Sequence, residues 1–158
     1  MLCSPSELGG ILTGNLVQSV ALREPSDVSG LRHLVGGIVA QRELSYVHLD
    51  NLQTAVTEAA TNAIKHAGKG KAQIWIGPDY LQVVVSDRGT GIPLTNLARS
   101  LLQAGFSTVQ TLGIGFTMMI ALSDGVILCT GVDGTSVLVY VGNRPASIDD
   151  LLPTPAAS

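Results

Sequence analysis

Glu58 and Asn62 lie four residues apart in a stretch of helical character, which puts an acid and an amide on one helix face. The Glu carboxylate can accept a proton from an attacking hydroxyl. The Asn side-chain oxygen suits a hard cation such as Mg²⁺, which keeps several waters and bridges phosphates. Asp87 follows the run Leu81-Gln82-Val83-Val84-Val85-Ser86, so its carboxylate should emerge at a strand end. A carboxylate only accepts hydrogen bonds; it can take the exocyclic amine of adenine and disfavours guanine, which presents a carbonyl there. Gly89 and Gly91 permit backbone conformations that a Cβ forbids. Gly113-Ile114-Gly115 opens a further helix, where backbone N–H groups and the positive end of the dipole can meet phosphate. Taken singly, these are a helix-surface pair, a turn and a helix start. Taken in order, each suits a different part of one Mg·ATP.

The elements that must position these residues follow from periodicity. Asn15 to Arg23 alternates as a strand, with Leu16, Val20 and Leu22 on one side. Glu24-Pro25-Ser26-Asp27 reads as a turn into a helix cap, and a helix is expected from Asp27 to Arg42. Gly36-Gly37 inside it costs on the order of 1 kcal/mol each against Ala; the pair is either a close-packing point or a weak joint. A second helix is expected from His48 to Ala67, with Leu49, Leu52, Val56, Ala59 and Ala63 as its apolar stripe. Glu58, Asn62 and His66 fall on the flank of that stripe. From the residues alone, His66 is a polar helix end, and His33 and His48 are helix-surface or helix-start residues.

Strands Ala72–Ile76 and Tyr80–Ser86 should be joined by the turn Gly77-Pro78-Asp79. Residues 87–115 form an irregular interval with a short helical pattern at Leu97–Leu102. Its part from Pro93 to Leu112, hinged by glycines that include Gly105, suits a lid. A helix from Gly115 to Leu122 and a hairpin of Val126–Thr130 with Thr135–Val141 complete the pattern. The expected organisation is a loose lead-in over residues 1–12, an α/β domain over 13–142 and a mobile, Pro-containing tail over 143–158.

Composition narrows the functions. A net charge of −3 without a basic run argues against nucleic acid as a partner. No apolar stretch reaches the roughly 18 residues of a membrane span, and the first residues lack the pattern of a signal peptide. Cys3 and Cys129, far apart in sequence, fit neither a disulfide framework nor a zinc ribbon; they read as two reduced thiols of a cytoplasmic protein. Mean hydropathy of +0.37 with only 13% charged residues leaves apolar surface to meet another protein.

Glu58-xxx-Asn62, Asp87-x-Gly89-x-Gly91 and Gly113-x-Gly115 resemble the N, G1 and G2 boxes of the GHKL superfamily of gyrase, histidine kinases and mismatch-repair ATPases. The run Glu58 to Ala67, Gly105-Phe106-Ser107-Thr108, and Leu112 to Met119 followed by Asp124 are most similar to the small serine/threonine kinases of the anti-sigma-factor and stress-switch group. The resemblance spans about residues 12–142. It implies a Bergerat-type ATP-binding fold: a two-layer α/β (α+β) sandwich with a mixed, mostly antiparallel sheet covered by helices on one face. It also implies that Asn62 holds Mg²⁺, that Asp87 reads adenine and that Glu58 is the base. His66, Gly89, Gly91, Ile92, Gly113, Ile114, Gly115 and Phe116 would border the nucleotide, and Thr135 would support the adenine contact. Thr111 stands where many members have a further glycine, a departure that bears on the phosphate cradle.

The implied activity is transfer of the ATP γ-phosphate to a Ser or Thr of a small antagonist of the anti-anti-sigma type. A sigma factor or another regulatory target, and a second copy of the chain in a homodimer, are further partners it implies. The competing reading is a non-catalytic ATP-binding module that sequesters a regulator. At 158 residues no phosphoacceptor helix of a histidine kinase and no transducer domain of a gyrase-like machine is expected.

Overall fold

Six strands build one sheet, and the described helices pack on a single face of it. The computed structural model describes residues 2–3, 12–89, 114–131 and 134–142. In chain order these form β1 (Leu2–Cys3), β2 (Asn15–Leu22), α1 (Pro25–Gln41), α2 (Leu49–Ala67), β3 (Gly70–Ile76), β4 (Tyr80–Ser86), α3 (Ile114–Ala121), β5 (Gly125–Gly131) and β6 (Gly134–Gly142). The sheet order is β1-β5-β6-β4-β3-β2. Every neighbouring pair is antiparallel except β1 with β5. This is the expected two-layer sandwich with a mixed, mostly antiparallel sheet.

The main core lies between sheet and helices. Val83, Val85, Val139, Val126 and Leu128 face Leu31, Val35, Leu52, Val56, Ala59 and Met119. β4, between β3 and β6, is buried on both faces from Tyr80 to Val85; a run apolar at nearly every position has that placement. Gln82 is the buried polar side chain among the described residues, on the outer face.

Helix boundaries have local causes. α1 begins two residues before the expected start, because Pro25 takes the first helical turn, where its missing N–H costs nothing. The Asp27 carboxylate accepts from the N–H groups of Arg23 and Glu24. α2 starts after His48, whose Nδ1 accepts from the Asn51 N–H at 3.4 Å, and ends at Gly68 with φ 80°. Gly36 is the close-packing point: a Cβ there would lie 2.9 Å from Nε2 of Gln53, an amide that donates to the Arg32 carbonyl. Gly37 faces open space.

Two expectations are corrected. The β2–β3 register shifts between Leu16 and Gln18, so Leu16 lies opposite Trp75, 46% exposed, and Val17 packs on the core in its place. A bulge inserts one residue and turns the following side chains over. The cysteines are not two free thiols: Cys129 is disulfide-bonded. The cause is β1, which the sequence pattern did not announce; it sets Cys3, the chain's other cysteine, opposite Cys129 in the parallel ladder. The lid interval, the Leu97–Leu102 helix, Thr111 and the tail from residue 143 lie outside the described residues.

Candidate functional site

α2 carries the acid and the amide. Its buried positions Leu52, Ala55, Val56, Ala59, Ala60 and Ala63 form one arc, held over the middle of the sheet. At about 100° per residue, Glu58 and Asn62 fall at the rim of that arc. Both are half-buried, whereas His66, one turn on, is exposed. The rim placement leaves the polar heads accessible while the small Ala residues bring the helix close to the strands.

Asp87 leaves the end of β4 with its carboxylate already committed on one side. Its Oδ1 accepts from the Gly89 N–H at 2.9 Å and from the Thr135 N–H at 3.2 Å. The Asp87 N–H in turn donates to the Thr135 carbonyl at 2.8 Å, extending the β4–β6 ladder by one residue. These bonds fix the plane of the carboxylate and aim its second oxygen. They also give Thr135 a part that the sequence did not specify: its backbone, rather than its hydroxyl, orients Asp87.

Glycine is required next to this pair. Gly134 has φ 146°, and a Cβ on it would lie 2.1 Å from the Asp87 carbonyl oxygen. Gly134→Ala combines a strained φ with a backbone clash, each costing about 1–3 kcal/mol. The expected result is a loss of several kcal/mol in urea unfolding, with β6 displaced from Asp87.

The turn after Asp87 meets the helix. A Cβ on Gly89 would approach the Ala67 methyl at 3.1 Å, and one on Gly70 would approach the Ala63 methyl at 3.2 Å. Small residues at both contacts therefore bring the Asp87 turn against the C-terminal end of the helix that bears Asn62. α3 packs along α2, anchored by the fully buried Met119, so the helix containing Ile114, Gly115 and Phe116 lies beside the same face. Gly91, Ile92 and Gly113 lie outside the described residues. The structure thus brings Asp87, Gly89 and Thr135 together, places the Glu58–Asn62 helix next to them, and leaves His66 at the helix end.

Among the described residues no group of three His, Cys, Asp or Glu side chains could hold a metal ion. Asn62 offers one hard oxygen donor, which fits a Mg²⁺ that draws its other ligands from water and phosphate.

Asp87→Asn isolates the second oxygen. The amide oxygen keeps accepting from Gly89 and Thr135; if Asp87 has the adenine-reading role that the resemblance implies, the amide nitrogen would meet the adenine amine donor to donor. Loss of a hydrogen bond to a charged group is worth about 1.5–3 kcal/mol, so ATP affinity should fall about 10- to 10²-fold with little change in thermal stability, and preference over GTP should shrink. Calorimetric titration with both nucleotides decides it; undiminished adenine preference removes Asp87 from that role.

Residues 21–141 match the family model described as a histidine kinase-like ATPase domain. A serine-protein kinase RsbW of Listeria monocytogenes serotype 4a (strain HCC23) is 31% identical over 133 residues, covering 77% of this chain and 84% of the relative. An anti-sigma F factor of Clostridium novyi (strain NT) is 27% identical over 135 residues, covering 81% and 94%. A mycobacterial sensor histidine kinase, MprB, superposes with a TM-score of 0.45 at 18% identity over 81% of this chain and 99% of that one, an overlap too loose to add weight. With the family model running from β2 to the end of β6, through every element that carries the site, the chain belongs to the histidine kinase-like ATPase domain family.

Proposed function

We propose that the protein is an ATP-dependent serine/threonine kinase of the anti-sigma switch type. Family membership implies an ATP site; the kinase reading, its residues and its acceptor are inferred. The observation that supports it best is the locked Asp87 carboxylate beside the helix that carries both Glu58 and Asn62. In this reading the adenine reader lies on a turn packed against the helix that carries the cation ligand and the proton acceptor.

In this reading the second oxygen of Asp87 accepts from the adenine amine, and the glycine-bordered start of α3 faces the phosphates. Mg²⁺, when bound through Asn62, neutralises phosphate charge. Glu58 takes the proton of a Ser or Thr hydroxyl as its oxygen bonds to the γ-phosphorus. The bond from that phosphorus to the bridging oxygen breaks, and ADP leaves. Phosphoryl transfer is mainly positioning and charge stabilisation, so a small rigid site is adequate. The acceptor is a small antagonist protein of the anti-anti-sigma type, and its phosphorylation controls exchange with a sigma factor or similar regulator. Exposed Met118 and Ile120 on α3 leave apolar surface for such a protein or for a second copy of the chain. No helix among the described residues is long and apolar enough to cross a membrane.

The test is calorimetric titration of the chain with ATP, with and without Mg²⁺ and with GTP as control, followed by phosphate transfer to a candidate acceptor. Mg²⁺-assisted, adenine-selective binding is expected. An absence of binding at millimolar ATP would overturn the reading.

A further inference from the structure

Lys65, Lys69 and Lys71 are the only lysines of the chain. Lys65 lies in the last turn of α2, Lys69 follows the left-handed Gly68, and Lys71 is the second residue of β3. The fold brings arginines to them. Lys71 stands opposite Ser86 at the end of β4. Arg88 comes shortly after, on the turn whose Gly89 meets Ala67 at the end of α2. On the other side, Ala21 and Leu22 of β2 pair with Lys71 and Gly70, which brings Arg23 to the same end of the sheet. All five cationic residues are exposed.

Nothing in the fold asks for this clustering. Among the described residues, the side chains of Lys65, Lys69, Lys71 and Arg88 have no hydrogen bond or ion pair. The carboxylates nearest in the chain are engaged elsewhere. Asp27 accepts from the N–H groups of Arg23 and Glu24, and Glu24 accepts from the Ser26 hydroxyl. Asp87 is held by Gly89 and Thr135. Asp79 and Asp124 sit at the opposite end of the sheet, by the β3–β4 turn and the start of β5. Lys69 and Lys71, two residues apart in extended chain, are separated by about 6–7 Å, less than the screening length of about 8 Å at physiological salt. Like charges so placed repel one another and cost stability; folding alone would spread them.

We propose that this basic end, centred on Lys69 and Lys71, is the docking surface for an acidic face of another protein. Charge complementarity selects the partner. A duplex nucleic acid carries one charge per roughly 1.7 Å of its length, so its charge would run past so small a patch onto a chain of net charge −3. No Phe, Tyr or Trp occurs in residues 65–71 or 86–88 to stack a base. A cluster of carboxylates on a folded protein confines its charge to the contact. Exposed charges of this kind steer encounter and fix orientation, and each exposed pair adds about 1.4- to 5-fold in affinity. The inference goes beyond the kinase reading: a protein seated here stands beside the Asp87 turn whether it receives phosphate or is only held.

The test uses the full chain and a fluorescein-labelled oligoglutamate, read by anisotropy, with oligolysine and oligodeoxythymidine of equal length as controls. Oligoglutamate should bind at about 0.05 M salt and be released by about 0.5 M. Lys69→Gln combined with Lys71→Gln should weaken it at least about 5-fold. Arg32→Gln combined with Arg42→Gln makes the same change in net charge on exposed residues of α1 and its C-cap, and should leave binding within about 2-fold. The lysine variant should melt no lower than the unsubstituted chain, because it removes a repulsion; a lower transition would make the lysines structural and overturn the proposal. ATP titration of the lysine variant should be unchanged, and a fall there would give the cluster to the nucleotide site instead. An unsubstituted chain that binds oligoglutamate but no ATP would sink the kinase reading and leave this proposal standing. No oligoglutamate binding, equal weakening by the two variants, or tighter binding of oligodeoxythymidine would each overturn it.

Discussion

Glu58→Gln should leave ATP bound while slowing phosphate transfer to a protein hydroxyl by at least about 10²-fold, the usual contribution of a positioned general base. The argument rests on where α2 holds the side chain. Glu58 is half-buried at the rim of the helix's buried arc, on the helix whose C-terminal end meets the turn at Gly89. Gln has the same length and similar helix propensity, so neither packing nor helix content should change. Transfer measured with radiolabelled ATP at saturating nucleotide separates the step from binding. An unchanged rate would take the base role from Glu58. A Glu58→Gln chain that no longer binds ATP would make Glu58 part of the nucleotide site. If the unsubstituted chain binds ATP and transfers nothing to any antagonist, the sequestering module becomes the better reading.

Asn62→Ala should have the largest effect on binding itself. Mutating groups that merely support a metal ligand typically costs about 10- to 100-fold in metal affinity, and loss of the ligand should cost at least that. Mg²⁺-dependent ATP binding is then expected to disappear in calorimetry at micromolar protein. Alanine favours the helix more than asparagine does, and Asn62 is only half-buried, so unfolding is not the expected cause; an unaltered thermal transition would verify this. Retained Mg²⁺ dependence in Asn62→Ala would place the cation on other groups.

The sequence displayed what depends on local pattern. The α2 stripe, the Tyr80–Ser86 strand and the helix after Gly113 follow from periodicity within one element, and the structure places them within a residue or two of expectation. Asp87 and Gly89 were nameable because a motif groups them, and Thr135 because its position after Gly134 matches the family, but their connection was not. The Thr135 N–H reaches a carboxylate 48 positions earlier, and no spacing rule reveals that. β1 was hidden for the same reason more strongly. Two residues carry no period, and their partners Leu128 and Cys129 lie near the other end of the fold. The bulge that moves Leu16 outward depends on the geometry of the β2–β3 pair, which alternation in a single strand cannot contain. Gln82 did break an apolar run, and its side-chain oxygen accepts from the Thr13 N–H, a link 69 positions long that no local pattern contains.

The parallel pairing of β1 with β5 also orders events in time. A ribosome adding roughly 5–20 residues per second needs about 6–25 s to proceed from Cys3 to Cys129. Throughout that interval α1, α2, the β3–β4 hairpin and the pairing of β2 with β3 can already form, while β1 has no strand to join. β5 must emerge and β6 must pair with it before the sheet's far edge exists. In a growing polypeptide the element nearest the N-terminus is therefore the last to be seated, and the outer apolar strands pass through synthesis unprotected. Cells making this protein should show it bound to chaperones late in translation, with association ending only after residues beyond β6 have cleared the exit tunnel.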